Sequence, residues 1–461
     1  MSDSLKAQES ELKDAYISLN YSYNEDLKND SLYQALQAAK LSYNDFAEKH
    51  VLRDPKYFAM RSDSIKLSIE EVQKNITEDE TVIEYFKDYS HYYALTISKS
   101  ETDFYKLDEV GRIDSLVDVW QEQMTHRDNQ IKDVSAKLYD LIWRPLSLNE
   151  DVGKVKVVPS GSLWLLSFEA LHNGGSYLIE DYNIQYSLSL EVDKFVQRYR
   201  KGDNESLAIF APGWEDDMKN KYKTHVSDSS LWDQEYMNTL RQPWSLQLSK
   251  YLTDNFDIVS YVQEEATESN FKSHLGKTSI LHFASHAVVN DDDPLRSKVH
   301  LAKDTDDASG DDGYLHAYEI FDMSLNADLA VLGACETGVG QMKEGEGMLS
   351  LSYAMQYAGC ASTIMSLWKI DESSSTAIFS KFYQSLSDGN SISDALHSSK
   401  LDFLRDEKNV NLQHPYYWAG TVFMGLDHVV PLQPKSINYS LWLIIAIVLI
   451  VSLVIGVKRF S

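Results

Sequence analysis

Short apolar runs alternate with helical stretches through much of this 461-residue chain, and this alternation restricts its fold more than any other feature. The strand-like runs are residues 154–159, 206–210, 257–262, 279–284, 327–332 and 361–367. A strand buried on both faces is apolar along its whole length, and strands that alternate with helices are typical of parallel sheets. The pattern therefore predicts an α/β fold with a mostly parallel sheet flanked by helices.

The N-terminal part of the chain follows a different period. Apolar residues recur three or four positions apart in 31–40 and in 65–76, so residues 1–75 are predicted to form a helical segment. No repeat is visible within it. The first two strands after it are predicted to form a hairpin from residues 81–86 and 91–97. We place the α/β domain at residues 76–427.

Composition excludes several classes of protein. The formal net charge of −27, from 70 acidic and 43 basic residues, would repel nucleic-acid phosphate, so no nucleic-acid partner is expected. A hydrophobic content of 43% is sufficient for a packed core. The two cysteines, Cys335 and Cys360, are too few for a disulfide framework and lack the spacing of a zinc site. Cys360 is predicted to be a core residue, and neither a metal nor another cofactor is predicted.

The C-terminal end contains a long uncharged apolar run. Residues 439–457 reach about the length that crosses a bilayer, with aromatic residues at one end and Lys458 and Arg459 at the other. They are predicted to form a transmembrane helix, after a linker at 428–438 and before a basic tail at 458–461. The sequence thus predicts a single-pass membrane protein, and the side of the membrane that holds the α/β domain stays open.

Two of the apolar runs lead to a potentially reactive side chain. Residues 280–284 lead to His286, and residues 329–332 lead to Cys335, which is 49 positions after the histidine. The carboxyl ends of neighbouring parallel strands meet at one edge of a sheet, so the imidazole and the thiol are predicted to lie together. An imidazole can take the proton of a cysteine thiol and later return it to the leaving group. We therefore predict a His286/Cys335 catalytic dyad.

Small residues flank both members of the predicted dyad. Ala287 follows the histidine, and Gly333 and Ala334 precede the cysteine, which leaves room for a substrate backbone. The backbone N–H groups of Ala287 and Cys335 are the predicted donors of an oxyanion hole. His282 lies deeper in its strand and is predicted to be packed or to support the site.

An acidic loop at residues 304–312 lies between the strand that leads to His286 and the strand that leads to Cys335. We interpret it as a solvated surface loop, and a preference for a basic residue beside the scissile bond is an alternative role for it. A calcium site is the alternative, although the spacing departs from the EF-hand pattern.

Seven motifs in a fixed order carry a resemblance to a known family. They are residues 157–171, 177–182, 282–287, 332–338, 345–347, 366–368 and 414–420, and they include His-Phe-Ala-Ser-His-Ala and Leu-Gly-Ala-Cys-Glu-Thr-Gly. In these motifs the chain resembles the CHAT domain, a caspase-like family often found beside tetratricopeptide repeats and distantly similar to caspases and separases. The resemblance extends from about residue 81 to residue 425.

The resemblance implies a caspase-like α/β fold with His286 as general base and Cys335 as nucleophile. Gly345 and Trp368 would then line or support the cleft, together with Gly333 and Ala334. The alternatives are a turn at the entry of a helix for Gly345 and a core aromatic residue for Trp368. Related caspase-type sites commonly have glycine after the histidine, where this chain has Ala287. Its methyl group narrows the approach to the site and leaves the backbone N–H in place.

The sequence predicts a membrane-anchored cysteine endopeptidase that cleaves a protein partner, with a helical-repeat protein as a possible regulatory partner. The alternative is a catalytically inactive interaction scaffold with the CHAT fold. A thiol-dependent α/β-hydrolase ranks last, because its nucleophile elbow is one residue shorter and its histidine follows the nucleophile.

Overall fold

The computed structural model describes a defined part of the chain. The described residues are 29–46, 67–199, 206–226, 228–290, 294–304, 311–333, 342–343, 347–348 and 351–435, with the single helical positions Leu12, Ala15 and Leu19. The chain divides into two compact units, one of residues 1–68 and 190–195 and one of residues 69–189 and 196–461. The second unit contains the strands and the candidate site. The predicted domain boundary at residue 76 stays a prediction.

The helices and strands are numbered in chain order. The helices are α1 (Asp30–Phe46), α2 (Ile69–Asn75), α3 (Val110–His126), α4 (Ile131–Ile142), α5 (Leu190–Tyr199), α6 (Asp216–His225), α7 (Gln234–Asn238), α8 (Pro243–Asn255), α9 (Glu268–Ser273), α10 (Ala317–Phe321), α11 (Leu351–Tyr357), α12 (Glu372–Ser387) and α13 (Ile392–Arg405). The strands are β1 (Glu80–Lys87), β2 (His91–Ile97), β3 (Thr102–Glu109), β4 (Lys154–Val158), β5 (Asn183–Tyr186), β6 (Leu207–Ala211), β7 (Val259–Val262), β8 (Ile280–Phe283), β9 (Ala287–Val288), β10 (Lys298–His300), β11 (Tyr314–His316), β12 (Leu329–Leu332), β13 (Met342–Lys343), β14 (Gly347–Met348), β15 (Ser362–Ser366) and β16 (Thr421–Gly425).

Within the described residues, eleven strands form one mostly parallel sheet, which confirms the predicted fold class. Their order is β3-β2-β1-β4-β5-β16-β15-β12-β8-β6-β7. The predicted hairpin is the antiparallel pair β1 and β2. Strands β15 and β16 are also antiparallel, so the β1-β4-β5-β16 half runs opposite to the β15-β12-β8-β6-β7 half. The sheet therefore presents the carboxyl ends of its two halves at opposite edges.

Both faces of the sheet are covered by helices. Along β6, Leu207 and Ile209 pack into one buried cluster, whereas Ala208 and Phe210 pack into a second one. The first cluster includes residues of α8, α12 and α13, and the second includes residues of α9, α10 and α11. This two-residue alternation explains why the strands are apolar at every position.

The prediction of a single-pass membrane protein is wrong. In the part of the chain that the structure describes, no helix is long and apolar enough to cross a bilayer. The longest described helices, α1 and α3, have 17 residues each and carry charged side chains, whereas a span needs about 20 mostly apolar residues. The predicted helix at 439–457 and the basic tail at 458–461 lie outside the described residues. The described helices thus contradict the membrane location predicted from the sequence.

Part of the predicted linker is packed on the α/β unit. Val430 is fully buried and Leu432 is 4% exposed, and both belong to the larger core cluster. Pro434 forms a β-bridge with Phe256 beside strand β7. The packed part of this unit thus extends into the predicted linker at 428–438.

Candidate active site

The two strands that lead to the predicted dyad are neighbours in the sheet. Strands β8 and β12 are parallel, with Phe283 opposite Leu332 at their carboxyl ends. The Gly333 N–H donates a hydrogen bond to the Phe283 carbonyl oxygen at 3.1 Å, so the segments that follow the two strands leave the sheet side by side. Adjacent parallel strands thus bring the histidine segment and the start of the cysteine segment to one edge.

His286 lies three residues beyond β8 and is fixed at two points. Its backbone carbonyl accepts a hydrogen bond from the His300 N–H in β10 at 2.8 Å. Its Nε2 lies 2.9 Å from the carbonyl oxygen of Leu240. A carbonyl oxygen only accepts hydrogen bonds, so Nε2 carries the proton and Nδ1 keeps a free lone pair. The imidazole is held in the tautomer that a general base requires.

The surroundings of His286 favour its neutral form. Burial is the main cause that lowers the pKa of this half-buried imidazole, and the nearby His300, Lys369 and Lys219 lower it further. The hydrogen bond to the Leu240 carbonyl acts in the opposite direction and does not reverse the shift. A neutral imidazole is the form that accepts a proton from a thiol.

Lys219, on helix α6, supports the segment that holds His286. Its ammonium donates hydrogen bonds to the carbonyl oxygens of Met237 at 3.1 Å and Thr239 at 2.5 Å. Leu240, the residue after Thr239, supplies the carbonyl that binds the His286 imidazole. Lys219 therefore holds the backbone segment that ends at Leu240, and this segment in turn holds the His286 imidazole.

A cavity opens beside His286 and contains two unsatisfied acceptors. Its lining includes Gly333, Lys369 and Ile370, together with Gln242 and Glu372. The Oε1 atom of Gln242 and the Oε2 atom of Glu372 are buried and accept no hydrogen bond from the described residues. Burial is the main cause that raises the pKa of Glu372. This end of the cavity can accept hydrogen bonds from a bound group.

His282 and Gly333 fit closely against each other below the cavity. A side chain at residue 333 would place its Cβ 3.0 Å from His282 Nε2 and 3.2 Å from the Phe283 carbonyl oxygen. The His282 imidazole is 1% exposed, and its Nδ1 lies 2.7 Å from the hydroxyl oxygen of Tyr383 on α12. Only a glycine fits at position 333 without moving its neighbours.

The acid sensitivity of the fold is expected to depend on His282. Burial lowers the pKa of His282 to about 3, so the folded chain keeps it neutral while the unfolded chain protonates it below about pH 6.5. Stability is therefore lost as the pH falls, and His282 contributes about 1.4 kcal/mol per pH unit between those two values. Replacing His282→Leu together with Tyr383→Phe removes both polar partners and should flatten this dependence, measured by urea unfolding from pH 7 to pH 4.

Two controls separate this effect from loss of packing. Tyr383→Phe alone keeps the buried imidazole and should keep the dependence on pH. His126→Gln removes an imidazole from the surface and should leave the pH slope unchanged. A double variant that retains the wild-type slope would show that His282 is not the group responsible.

The other predicted site residues have different positions. Ala287 is half-buried in β9 and pairs with Val299 of β10. Trp368 is 8% exposed, donates from Nε1 to the Tyr416 carbonyl oxygen at 3.1 Å, and packs edge-on against Trp120. The structure thus brings His286 and Gly333 to one cavity and places Trp368 in the core. Ala334, Cys335 and Gly345 lie outside the described residues.

The comparison with family models decides the family of the chain. A model described as the CHAT domain matches residues 132–426, well over half of the chain. The chain belongs to the CHAT domain family. The match confirms the family that the seven motifs indicated, and it includes both strands that lead to the predicted dyad.

One curated relative of this CHAT chain is tetratricopeptide repeat protein 28 of Homo sapiens. The two sequences are 24% identical over 338 residues, which is 63% of this chain and 13% of that protein. The CHAT chain therefore spans only a small part of the length of this relative.

Two crystal structures of the Saccharomyces cerevisiae separase–securin complex also align with the CHAT chain. The structure at 2.6 Å resolution has a TM-score of 0.45 and 12% identity, and the alignment covers 86% of this chain and 34% of that one. The structure at 3.0 Å has a TM-score of 0.44 and 13% identity, with 92% and 37% covered.

The described part of the CHAT chain holds no group of three or more His, Cys, Asp or Glu residues arranged to bind a metal ion. Asp311 of the acidic loop is among the described residues. Its carboxylate accepts a hydrogen bond from the Lys272 ammonium at 2.5 Å and another from the Ser269 hydroxyl at 2.8 Å. Residues 305–310 of this loop lie outside the described residues, as does most of the suggested calcium site.

Sequence reasoning missed the groups that orient His286. The Leu240 carbonyl is a backbone group, 46 positions before the histidine, and no side-chain pattern marks it. Lys219 and the fully buried Trp214, whose ring centre is 6.5 Å from that of His286, also carry no local signal. Only the tertiary structure brings these groups together.

Proposed function

We propose that this CHAT domain is a cysteine endopeptidase in which His286 is the general base and Cys335 is the nucleophile. The observation that supports it best is the His286 imidazole, whose Nε2 lies 2.9 Å from the Leu240 carbonyl oxygen. This contact leaves Nδ1 as the basic nitrogen of the neutral ring. Cys335 is two residues beyond Gly333 in the sequence, and two residues of chain reach at most about 7 Å. The nucleophile therefore belongs to a segment that starts at the cavity of the base.

The proposed reaction is acyl transfer to a thiol. Nδ1 of His286 takes the proton of the Cys335 thiol, and the thiolate attacks the carbonyl carbon of the scissile peptide bond. The N–H groups of Ala287 and Cys335 are proposed to stabilise the resulting oxyanion. The imidazolium returns its proton to the leaving amine, and water then hydrolyses the thioester to release the carboxylate and restore the thiol.

We propose a protein substrate and a helical-repeat regulator for this site. The relative in Homo sapiens is named for its tetratricopeptide repeats, and the CHAT chain matches only 13% of its length. This supports a helical-repeat protein as the regulatory partner of the CHAT chain.

The test of the proposed function is cleavage-site mapping in a proteome. The full chain and its Cys335→Ala variant are incubated with a cell extract, and new protein N-termini are enriched and identified by mass spectrometry. N-termini that appear only with the wild-type chain support an endopeptidase. Identical sets from the two proteins would favour the interaction scaffold.

Lys219 is expected to be a positioning residue for His286. Lys219→Met removes two hydrogen bonds from the segment that supplies the Leu240 carbonyl, so kcat for a mapped peptide should fall by roughly tenfold. It also removes a charge that lowers the pKa of His286. The acid limb of the pH–rate profile should therefore move to higher pH.

Lys221→Met is the matched control for this variant. Lys221 lies on the same helix and forms an exposed ion pair with Glu264. Its replacement removes the same charge without touching the Leu240 segment, so kcat and the acid limb should stay close to the wild type. An unshifted acid limb in Lys219→Met would overturn the positioning role.

A further inference from the structure

A second cavity lies away from the residues that line the His286 site. It has a volume of about 380 Å³ and lies between the start of α4, the turn at residues 172–180 and the end of α13. It shares no lining residue with the cavity beside His286. Its volume is within the range of about 300–1,000 Å³ that is typical of small-molecule sites.

The charged lining of this second cavity consists of two cations and one carboxylate, with two histidines beside them. Lys132, Arg405, His172 and His414 line it, and Glu180 is its one carboxylate. Glu180 is engaged with its own turn, because its Oε1 accepts a hydrogen bond from the Tyr177 N–H at 3.3 Å. In a chain with a net charge of −27, such a group of basic side chains departs from the average surface.

The two permanent cations of the cavity have no anionic partner among the described residues. Neither Lys132 nor Arg405 forms an ion pair there, whereas Lys154, Lys298 and Lys400 each pair with a carboxylate. The Lys132 ammonium lies 5.6 Å from the centre of the Tyr177 ring, which forms another part of the same wall. Both cations are thus available to a ligand.

Of the two histidines, His172 adds a hydrogen-bond donor to the cavity. His172 Nδ1 accepts a hydrogen bond from the Gly174 N–H at 3.1 Å, so its neutral ring carries the proton on Nε2. Burial and the charge of Lys132 lower the pKa of His172, and burial and Arg127 lower that of His414. The His414 ring is satisfied within the fold, because its Nε2 donates to the Asp128 carbonyl oxygen at 3.1 Å and its Nδ1 accepts a hydrogen bond from the Tyr416 N–H at 3.1 Å.

We propose that this cavity binds a phosphate-bearing small molecule of nucleotide size. Arginine presents a planar fork that matches phosphate oxygens, and lysine adds a point charge, so the pair suits a phosphate dianion. The cavity is large enough for more than the phosphate, and the half-buried Leu401 and Leu404 offer an apolar surface to the rest of the ligand. This site is independent of the proposed peptidase activity.

Calorimetry on the full chain tests this site, with ADP as probe and no divalent cation. ADP should bind, and adenosine, which lacks phosphate, should not bind at concentrations up to about 1 mM. Lys132→Met and Arg405→Met should each weaken ADP binding by at least about tenfold, because each removes a charge-assisted contact.

Lys137→Met is the matched control, since Lys137 is exposed on the same helix as Lys132 and does not line the cavity. It should leave ADP affinity unchanged. Equal weakening by Lys137→Met and Lys132→Met would mean that the net charge alone attracts the anion, and the site would be rejected. The absence of ADP binding, or equal binding of ADP and adenosine, would also overturn the proposal.

Discussion

His286→Ala and Cys335→Ala are each expected to lower kcat/KM for a mapped peptide by at least about 10³-fold. The thiol is mostly protonated at neutral pH without a base, and no other side chain is proposed to form the acyl-enzyme. Residues that act as a unit are not additive, so the double variant should be no slower than the slower single variant. Initial rates of peptide cleavage at pH 7 measure kcat/KM for the two single variants and the double variant.

Cys360→Ala controls for the loss of a thiol from the chain. Cys360 is fully buried in the core and takes no part in the proposed reaction, so its removal should leave kcat/KM close to the wild type. Thermal unfolding of each variant checks that the fold survives. If His286→Ala retains more than about a tenth of the wild-type rate, the imidazole is not the base.

Lys400→Met is expected to destabilise the α/β unit by about 3–5 kcal/mol. The Lys400 side chain is fully buried, and its Nζ lies 2.5 Å from Oε2 of Glu169, whose side chain is 4% exposed. The substitution leaves a carboxylate buried without its counter-charge, which costs far more than the net contribution of an intact pair. Urea unfolding at pH 7 measures the loss.

Two further variants test the cause of this loss. Replacing Lys400→Met and Glu169→Met together removes both charges and should recover most of the lost stability. Lys154→Met breaks the half-exposed pair with Asp394, where solvent screens the charges, and should cost less than about 1 kcal/mol. A Lys400→Met variant that loses no more stability than Lys154→Met would contradict the assignment.

The local pattern of the sequence was sufficient to predict most strands of the sheet. The continuous apolar runs that became β6, β8 and β12 indicated burial on both faces, and the alternating segments indicated the β1–β2 hairpin. The reversal of strand direction between the two halves of the sheet was not predictable. It depends on where β16 inserts, between β5 and β15, and strand order is a tertiary property that local periodicity does not report.

The candidate site was only partly predictable for the same reason. His286 was found because it follows a buried strand beside a small residue. The aromatic Trp368 lies next to Lys369 and Ile370, which do line the cavity, but the sequence does not show which of the three faces the core. The Leu240 carbonyl was beyond prediction, since any residue can supply a backbone oxygen.

The alkylation of Cys335 by iodoacetamide tests the central claim most directly. The rate at pH 6–7 is followed by mass spectrometry in the wild-type chain and in His286→Ala. Cys360 is an internal reference, because burial raises the pKa of its thiol to about 12 and it should stay unlabelled while the chain is folded. Labelling of Cys335 should be at least about tenfold faster in the wild type, because the imidazole removes the thiol proton. Equal rates in the two proteins would contradict a His286/Cys335 dyad.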